Sequence, residues 1–205
     1  LAVVLAGGKS KRFGKDKSQV KLGNKILIDY VLTEIIDFYN DILIVTNEPI
    51  KFLNSNKISI INDFKKGLGP LGGVLSAMKW VKDNKKNYKW ISTFPIDTPF
   101  FKKEHLSKFY KEINLDESNL FFMKSKNTRH NIFGLWSLEL YEKLELELKL
   151  ELELELEIWG GASKVLSKWR TPYYSITTEI ICEPPPRGLR AIISGLRLSS
   201  HLIEC

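Results

Sequence analysis

Short apolar runs separated by segments of helix length are the feature of this sequence that most restricts its fold. The runs are rich in β-branched and aromatic residues and occupy Ala2–Leu5, Ile42–Thr46, Ile58–Ile61 and Trp90–Phe94. Runs this short, without alternating polar residues, are typical of strands buried on both faces of a parallel sheet. Helical spacing of apolar residues intervenes at about Asp29–Tyr39 and again at Val74–Val81. The alternation predicts an α/β fold with a mostly parallel sheet and helices on both faces.

Ligands of such sheets bind beyond the carboxyl ends of the strands, so the loops there are the candidate sites. The first predicted strand ends in Gly7-Gly8, and a cluster of basic residues follows between Lys9 and Lys17. Glycine lets backbone N–H groups approach an anion, and the cations suit a polyphosphate. The segment matches neither common phosphate-loop pattern. Nucleotide binding and a surface turn with solvated lysines are both compatible with it.

Two further segments carry possible ligand groups. A Gly/Pro loop is predicted at Gly67–Gly73, either as a source of N–H donors or as a simple turn. Asp97 follows the fourth predicted strand in a loop braced by prolines. A carboxylate there suits Mg²⁺ bound together with substrate phosphates, and a turn-capping Asp is the alternative. Asp63, after the third strand, has the same two interpretations.

Composition excludes several classes of protein. The 205 residues carry 31 Lys and Arg against 24 Asp and Glu, a net charge of +7. A basic nucleic-acid-binding module is disfavoured, because the lysines are scattered along predicted helices. Cys182 and Cys205 are too few for a disulfide scaffold or a zinc site. No apolar run is long enough for a membrane helix, and no secretory leader pattern is present, so we expect a cytoplasmic protein.

The sequence changes character near residue 142. Residues 1–142 form the predicted α/β domain, and residues 143–157 form a low-complexity repeat of Leu alternating with Glu or Lys. Neither a strand nor a helix accounts well for that repeat, which is too long for a strand and would spread Leu around a helix. Residues 158–205 are an atypical C-terminal segment, interpreted as either diverged or frameshifted.

Four motifs in residues 1–142 resemble the molybdenum cofactor guanylyltransferase family, whose patterns are L-A-G-G-x-S-x-R-M-G-x-D-K, G-P-L-A-G, P-x-D-T-P and H-P-x-x-A-L-W. The matching segments, in the same order, are Leu5–Lys17, Gly69–Gly73, Pro95–Pro99 and His130–Trp136. Phe13, Gly72, Asn131 and Gly134 depart from these patterns.

The resemblance implies a Rossmann-like fold of the nucleotide-diphospho-sugar transferase type. It implies a Mg²⁺-dependent nucleotidyltransferase that transfers GMP from GTP to molybdenum-molybdopterin, forms molybdopterin guanine dinucleotide and releases pyrophosphate. Related cytidylyltransferases usually have L-A-A-G in the first loop, so Gly7-Gly8 favours guanine. Molybdoenzymes or their chaperones would be the protein partners.

Site residues also follow from the resemblance. The nucleotide contacts it implies are Leu5, Ala6, Gly7, Lys17, Asn47, Asp63 and Asp97. The catalytic groups would be Arg12 and Lys17, which hold the phosphates, together with Asp97, which binds Mg²⁺. His105 and His130 are expected to be structural or to lie on the pterin side. A cytidylyl- or sugar-nucleotide-forming transferase and an inactive nucleotide-binding protein are the alternative functions.

Overall fold

Strands and helices alternate along the part of the chain that the computed structural model describes, residues 1–7, 21–51, 55–64, 68–125, 128–155 and 176–177. The strands are β1 (Ala2–Leu5), β2 (Lys21–Leu22), β3 (Lys25–Ile26), β4 (Ile42–Val45), β5 (Ile58–Ile61), β6 (Trp90–Pro95), β7 (Leu120–Ser125), β8 (Thr128–Ser137) and β9 (Ile176–Thr177). The helices are α1 (Leu27–Ile35), α2 (Gly69–Asp83), α3 (Lys103–Glu112) and α4 (Tyr141–Glu155). All four strands predicted from apolar runs are confirmed within one residue of their expected bounds.

The main sheet has the strand order β5-β4-β1-β6-β8-β7-β9. β5, β4, β1 and β6 are parallel to one another, whereas β8 runs antiparallel to both of its neighbours. β2 and β3 form a separate two-stranded hairpin. The predicted α/β fold with a mostly parallel sheet is therefore confirmed.

Helices cover both faces of this sheet, as predicted. Side chains alternate between the two faces along a strand, so Val3 of β1 points to one core and Val4 to the other. α2 and α4 pack over the face that holds Val3, and α1 and α3 pack over the face that holds Val4. Because β1 has strands on both edges and helices on both faces, it is buried along its whole length.

α1 begins two residues earlier and ends four residues earlier than the predicted Asp29–Tyr39. Phe38 would share the apolar face of a helix that continued to Tyr39, but the chain leaves the helix at Ile35 in a turn in which Ile35 O accepts the N–H groups of Phe38 and Tyr39. Phe38 is consequently 40% exposed and stacks on Tyr110 instead.

α2 begins at Gly69, inside the segment predicted as a loop. Pro70 is compatible with the first helical turn, because the N–H that it lacks would have no partner there. Leu71 is fully buried, so the core draws this first turn into the helix. Gly67, the first residue of the predicted loop, lies outside the described residues.

The Leu/Glu repeat is helical up to Glu155, although the sequence favoured neither structure. Leu144 and Leu148, one turn apart, are buried against α2, whereas Leu146 and Leu150 are 58% and 44% exposed. The Leu residues are spread around the helix, as expected, and one stripe of them is sufficient to join the core. None of the helices within the described residues has the length and apolar character needed to span a membrane.

Candidate active site

Four loops lie side by side at the carboxyl edge of the parallel strands. Backbone hydrogen bonds continue past the strand ends and join each loop to the next. Thr46 N donates to Ile61 O at 3.0 Å, and Ala6 N donates to Val45 O at 2.9 Å. Ile96 N donates to Leu5 O at 3.3 Å. The loops after β5, β4, β1 and β6 therefore form one continuous row.

The end of β1 offers backbone rather than side chains to a ligand. The side chains of Leu5 and Ala6 are buried in opposite cores, whereas Gly7 is exposed. The sequence-predicted contacts Leu5, Ala6 and Gly7 thus lie together in the middle of the row. Arg12 and Lys17, predicted to hold phosphates, fall outside the described residues.

α2 approaches β1 closely behind this loop. A Cβ added to Gly73 would lie 2.8 Å from Leu5 Cδ2, closer than real side chains approach. Gly73 therefore lets the first turns of α2 pack directly on the end of β1. Because α2 follows β5, its N-terminus faces the carboxyl edge, and the N–H groups of a helix N-terminus attract anions.

The loops after β4 and β5 are held together by side-chain hydrogen bonds. Asn47 Oδ1 accepts the backbone N–H of Asp63 at 3.1 Å. Ser76, on α2, contacts Asp63 Oδ1 through its hydroxyl at 3.0 Å and accepts the backbone N–H of Phe64 at 2.8 Å. The structure thus brings together Asn47 and Asp63, both predicted as nucleotide contacts, and adds Ser76.

Asp97 lies in a tight turn after β6. Thr98 closes this turn, because its backbone N–H and its hydroxyl both donate to Pro95 O, at 3.3 and 2.9 Å. Ile96 is buried and anchors the turn, and Asp97 is half-buried. A half-buried carboxylate on a braced turn is a suitable group to hold a cation.

Asp63 and Asp97 occupy the two ends of the row. Their strands, β5 and β6, are three positions apart, which is about 14 Å at the usual strand spacing. Carboxylates on these two loops do not share one metal ion, since Mg²⁺–oxygen bonds are about 2.1 Å long. Among the described residues, no three His, Cys, Asp or Glu side chains are grouped so that they could hold a metal ion by themselves. Mg²⁺ commonly uses one or two carboxylates and takes its remaining ligands from phosphates and water, and Asp97 fits that requirement.

The two histidines singled out in the sequence lie in different places: His105 is at the start of α3, whereas β8, antiparallel to β6, brings His130 to the same edge of the sheet as the loop after β6. His105 Nδ1 accepts the backbone N–H of Lys102 at 2.9 Å and caps the start of α3, so its side chain is structural. His130 lies near the start of β8, and burial lowers its pKa.

Sequence reasoning missed Ser76. The signal was present, because Ser76 interrupts the apolar stretch Leu71–Met78 of α2 and a buried polar group needs a partner. The partner belongs to a loop that precedes the helix, and the helical pattern does not identify it.

Comparison with known proteins places the chain among nucleotidyltransferases. A sequence profile of the family described as MobA-like NTP transferase domain matches residues 2–168. The molybdenum cofactor guanylyltransferase of Haemophilus influenzae is 34% identical over 70% of this chain and 73% of its own length. That of Rhizobium rhizogenes is 30% identical over 69% of this chain. The chain spans 65% of the length of the Rhizobium protein.

Solved structures that share this fold include a protein of molybdopterin-guanine dinucleotide biosynthesis and a cytidylyltransferase. Molybdopterin-guanine dinucleotide biosynthesis protein A from Archaeoglobus fulgidus superposes with a TM-score of 0.55 and 22% identity, covering 81% of this chain and 85% of the other. The 2-C-methyl-D-erythritol 4-phosphate cytidylyltransferase from Thermus thermophilus gives 0.54 and 9%, covering 96% and 97%. Both confirm the Rossmann-like nucleotidyltransferase fold predicted from the four motifs.

Proposed function

Because this chain belongs to the family of MobA-like NTP transferase domains, we propose that it transfers GMP from GTP to molybdenum-molybdopterin. The products are molybdopterin guanine dinucleotide and pyrophosphate. The proposal assigns the nucleotide to the carboxyl edge of the sheet. We further propose that the protein acts in the cytoplasm and that molybdoenzymes or their chaperones receive the product.

The row of four loops is the observation that carries this proposal. Its central element is the exposed backbone at Gly7, and its two ends carry Asp63 and Asp97. A nucleoside triphosphate is an elongated ligand with a polar base at one end and phosphates at the other. We assign Asp63 and Asn47 to the nucleoside end and Asp97 to the phosphate end. Arg12 and Lys17 complete the phosphate contacts in this proposal.

The reaction requires alignment more than a protein nucleophile. A terminal phosphate oxygen of molybdopterin attacks the α-phosphorus of GTP, and the bond from that phosphorus to the bridging oxygen of pyrophosphate breaks. Transfer of this type is promoted by positioning and by charge neutralisation. Mg²⁺, held by Asp97 and phosphate oxygens, would supply positive charge as the pyrophosphate leaves. The turn of Pro95 and Thr98 fixes the backbone that carries Asp97.

Incubation with labelled GTP, Mg²⁺ and molybdopterin tests the proposal. We expect the labelled dinucleotide and one pyrophosphate per turnover, with loss of product when EDTA removes the metal. Equal turnover with CTP would contradict the guanine assignment and favour a cytidylyltransferase. Binding of GTP without any product, with active relatives as positive controls, would identify an inactive nucleotide-binding protein.

A further inference from the structure

Ser76 is the one polar side chain among the buried residues of α2. It is 3% exposed, and its Oγ lies close to three groups. These are Phe64 N at 2.8 Å, Asp63 Oδ1 at 3.0 Å and Gly72 O at 2.8 Å. Two of the three belong to the loop after β5, so this hydroxyl links the helix to the loop.

The proton count shows what the hydroxyl does. A serine hydroxyl has one proton to donate and two lone pairs. Since the N–H of Phe64 is a donor, Oγ accepts from it, and its single proton goes to either Asp63 Oδ1 or Gly72 O. Gly72 O already has a backbone partner one turn along the helix. Ser76 Oγ therefore donates its proton to the Asp63 carboxylate, because hydrogen bonds to charged groups are stronger than those to neutral carbonyls.

Other helical hydroxyl groups of this protein give a useful contrast. Ser107 Oγ donates to Lys103 O at 3.3 Å, and Thr33 Oγ1 donates to Asp29 O at 2.7 Å. Both bonds stay within one helix and run four residues back, as the Ser76–Gly72 contact does. Ser76 differs in its contacts to Asp63 and Phe64.

Asn47 completes the support from the opposite side. Its Oδ1 accepts the N–H of Asp63 at 3.1 Å. The backbone of Asp63, the backbone of Phe64 and one carboxylate oxygen of Asp63 are thus each bonded to a side chain from a neighbouring element. This arrangement fixes the carboxylate in one orientation before a ligand arrives.

We propose that Ser76 is a positioning residue for Asp63, holding its carboxylate ready for the nucleoside part of the nucleotide. The inference rests on the proposed nucleotide contact of Asp63. A preformed carboxylate does not have to be ordered when the ligand binds, and preorganisation of this kind increases affinity. Because β5 lies three strands from β6, the effect falls on nucleotide binding and not on the phosphate chemistry at Asp97.

The test compares Ser76→Ala with Ser107→Ala. Each variant removes one helical hydroxyl that contacts a carbonyl four residues back. For Ser76→Ala we expect the KM and the Kd for GTP to rise about tenfold with kcat unchanged, the effect of one lost bond to a charged group. Ser76→Thr, which keeps the hydroxyl, should restore most of the affinity. Ser107→Ala should match the wild type.

Hydrogen exchange of the Phe64 amide gives a readout that needs no nucleotide. We expect its protection to fall about tenfold in Ser76→Ala and to be unchanged in Ser107→Ala. GTP affinity within twofold of wild type in Ser76→Ala overturns the inference. So does equal loss of affinity in both alanine variants.

A wild-type protein that binds no GTP contradicts the proposed function, which is a separate result. In that case hydrogen exchange of the Phe64 amide still tests whether Ser76 holds the loop after β5. Loss of its protection in Ser76→Ala supports Ser76 as the group that holds this loop, and unchanged protection overturns it.

Discussion

The carboxyl edge of the parallel strands and the antiparallel junction of β6 with β8 hold their polar groups in opposite environments. At the edge, Asp63 and Asp97 are half-buried on loops, and the Asp63 carboxylate contacts the hydroxyl of Ser76. At the junction, Thr93 and Trp136 are fully buried, and Trp136 Nε1 donates to Thr93 Oγ1 at 2.9 Å. A group on the edge can change with little cost to the core, whereas a group in the junction cannot.

This difference separates activity from stability in space. Substitutions on the edge are expected to lower turnover or affinity while the protein stays folded. Substitutions in the junction or in the core beneath it are expected to lower the free energy of unfolding. Four tests, with five substitutions, examine this separation.

Asp97→Asn is expected to have the largest effect. The amide keeps the size of the side chain but removes the negative charge proposed to hold Mg²⁺. We expect kcat to fall about 10³-fold, as when one transition-state electrostatic contact is lost. The thermal midpoint should shift by less than about 2 °C, because the side chain is not part of the core. A variant with wild-type turnover would remove Asp97 from the proposed mechanism.

Gly134→Ala tests the junction. A Cβ at this position would lie 2.2 Å from Phe121 O, a backbone atom that cannot move without breaking the β7–β8 pairing. The family pattern given above has Ala here, whereas in this chain β7 lies too close to leave room for a Cβ. We expect the free energy of unfolding to fall by more than about 3 kcal/mol in urea denaturation. Stability equal to wild type would show that the two strands can separate at this point.

Leu144→Ala and Leu146→Ala form a matched pair on α4. Leu144 is fully buried and Leu146 is 58% exposed, although both belong to the same repeat. We expect Leu144→Ala to cost about 2.5 kcal/mol through lost burial and a cavity, and Leu146→Ala less than about 0.5 kcal/mol. Equal losses in urea denaturation would mean that α4 does not pack on α2 by this stripe.

His105 is expected to show the smallest effect. Burial lowers the pKa of its imidazole below 6.5, with Glu104 and Glu34 opposing the shift. Nδ1 accepts a backbone N–H at the start of α3, so it caps the helix only while it is unprotonated. The folded state therefore binds fewer protons than the unfolded state just below pH 6.5. This contribution to stability is complete above pH 6.5 and is lost as the pH falls through the lowered pKa.

The size and control of that effect follow from the cap. It contributes less than about 1 kcal/mol, as one exposed hydrogen bond does. Gln at the same helix position keeps an acceptor without titrating. We expect His105→Gln to lose less stability than wild type between pH 7 and pH 5. If the variant and the wild type lose the same free energy of unfolding between pH 7 and pH 5, as measured by urea denaturation, His105 is excluded as the titrating group.

The sequence predicted the parallel part of the sheet well, because short runs such as Ile42–Val45 have few alternatives to a buried strand. It also predicted which loops would meet, since carboxyl ends of parallel strands share one edge. The roles of Ser76 and Gly134 could not be predicted from the sequence. Their roles depend on distances between elements far apart in the chain, and only the packed structure supplies those distances.

The start of α2 and the repeat of α4 show how packing overrides local pattern. Gly69 and Pro70 indicate a turn by themselves, but burial of Leu71 makes them the first helical residues. Leu at every second position indicates no helix face, but contact with α2 selects Leu144 and Leu148. In both cases the deciding partner is another element of the fold.

The repeat in α4 has a further consequence for changes in chain length. If one Glu-Leu pair, such as Glu145-Leu146, were deleted, Leu148 and Leu150 would each move back two places. The position now held by Leu148 would then be filled by Leu150, and the buried stripe would still read Leu, one turn apart. Gain or loss of a dipeptide unit thus leaves Leu at both buried positions. The number of units in this helix can therefore vary while its contact with α2 is kept.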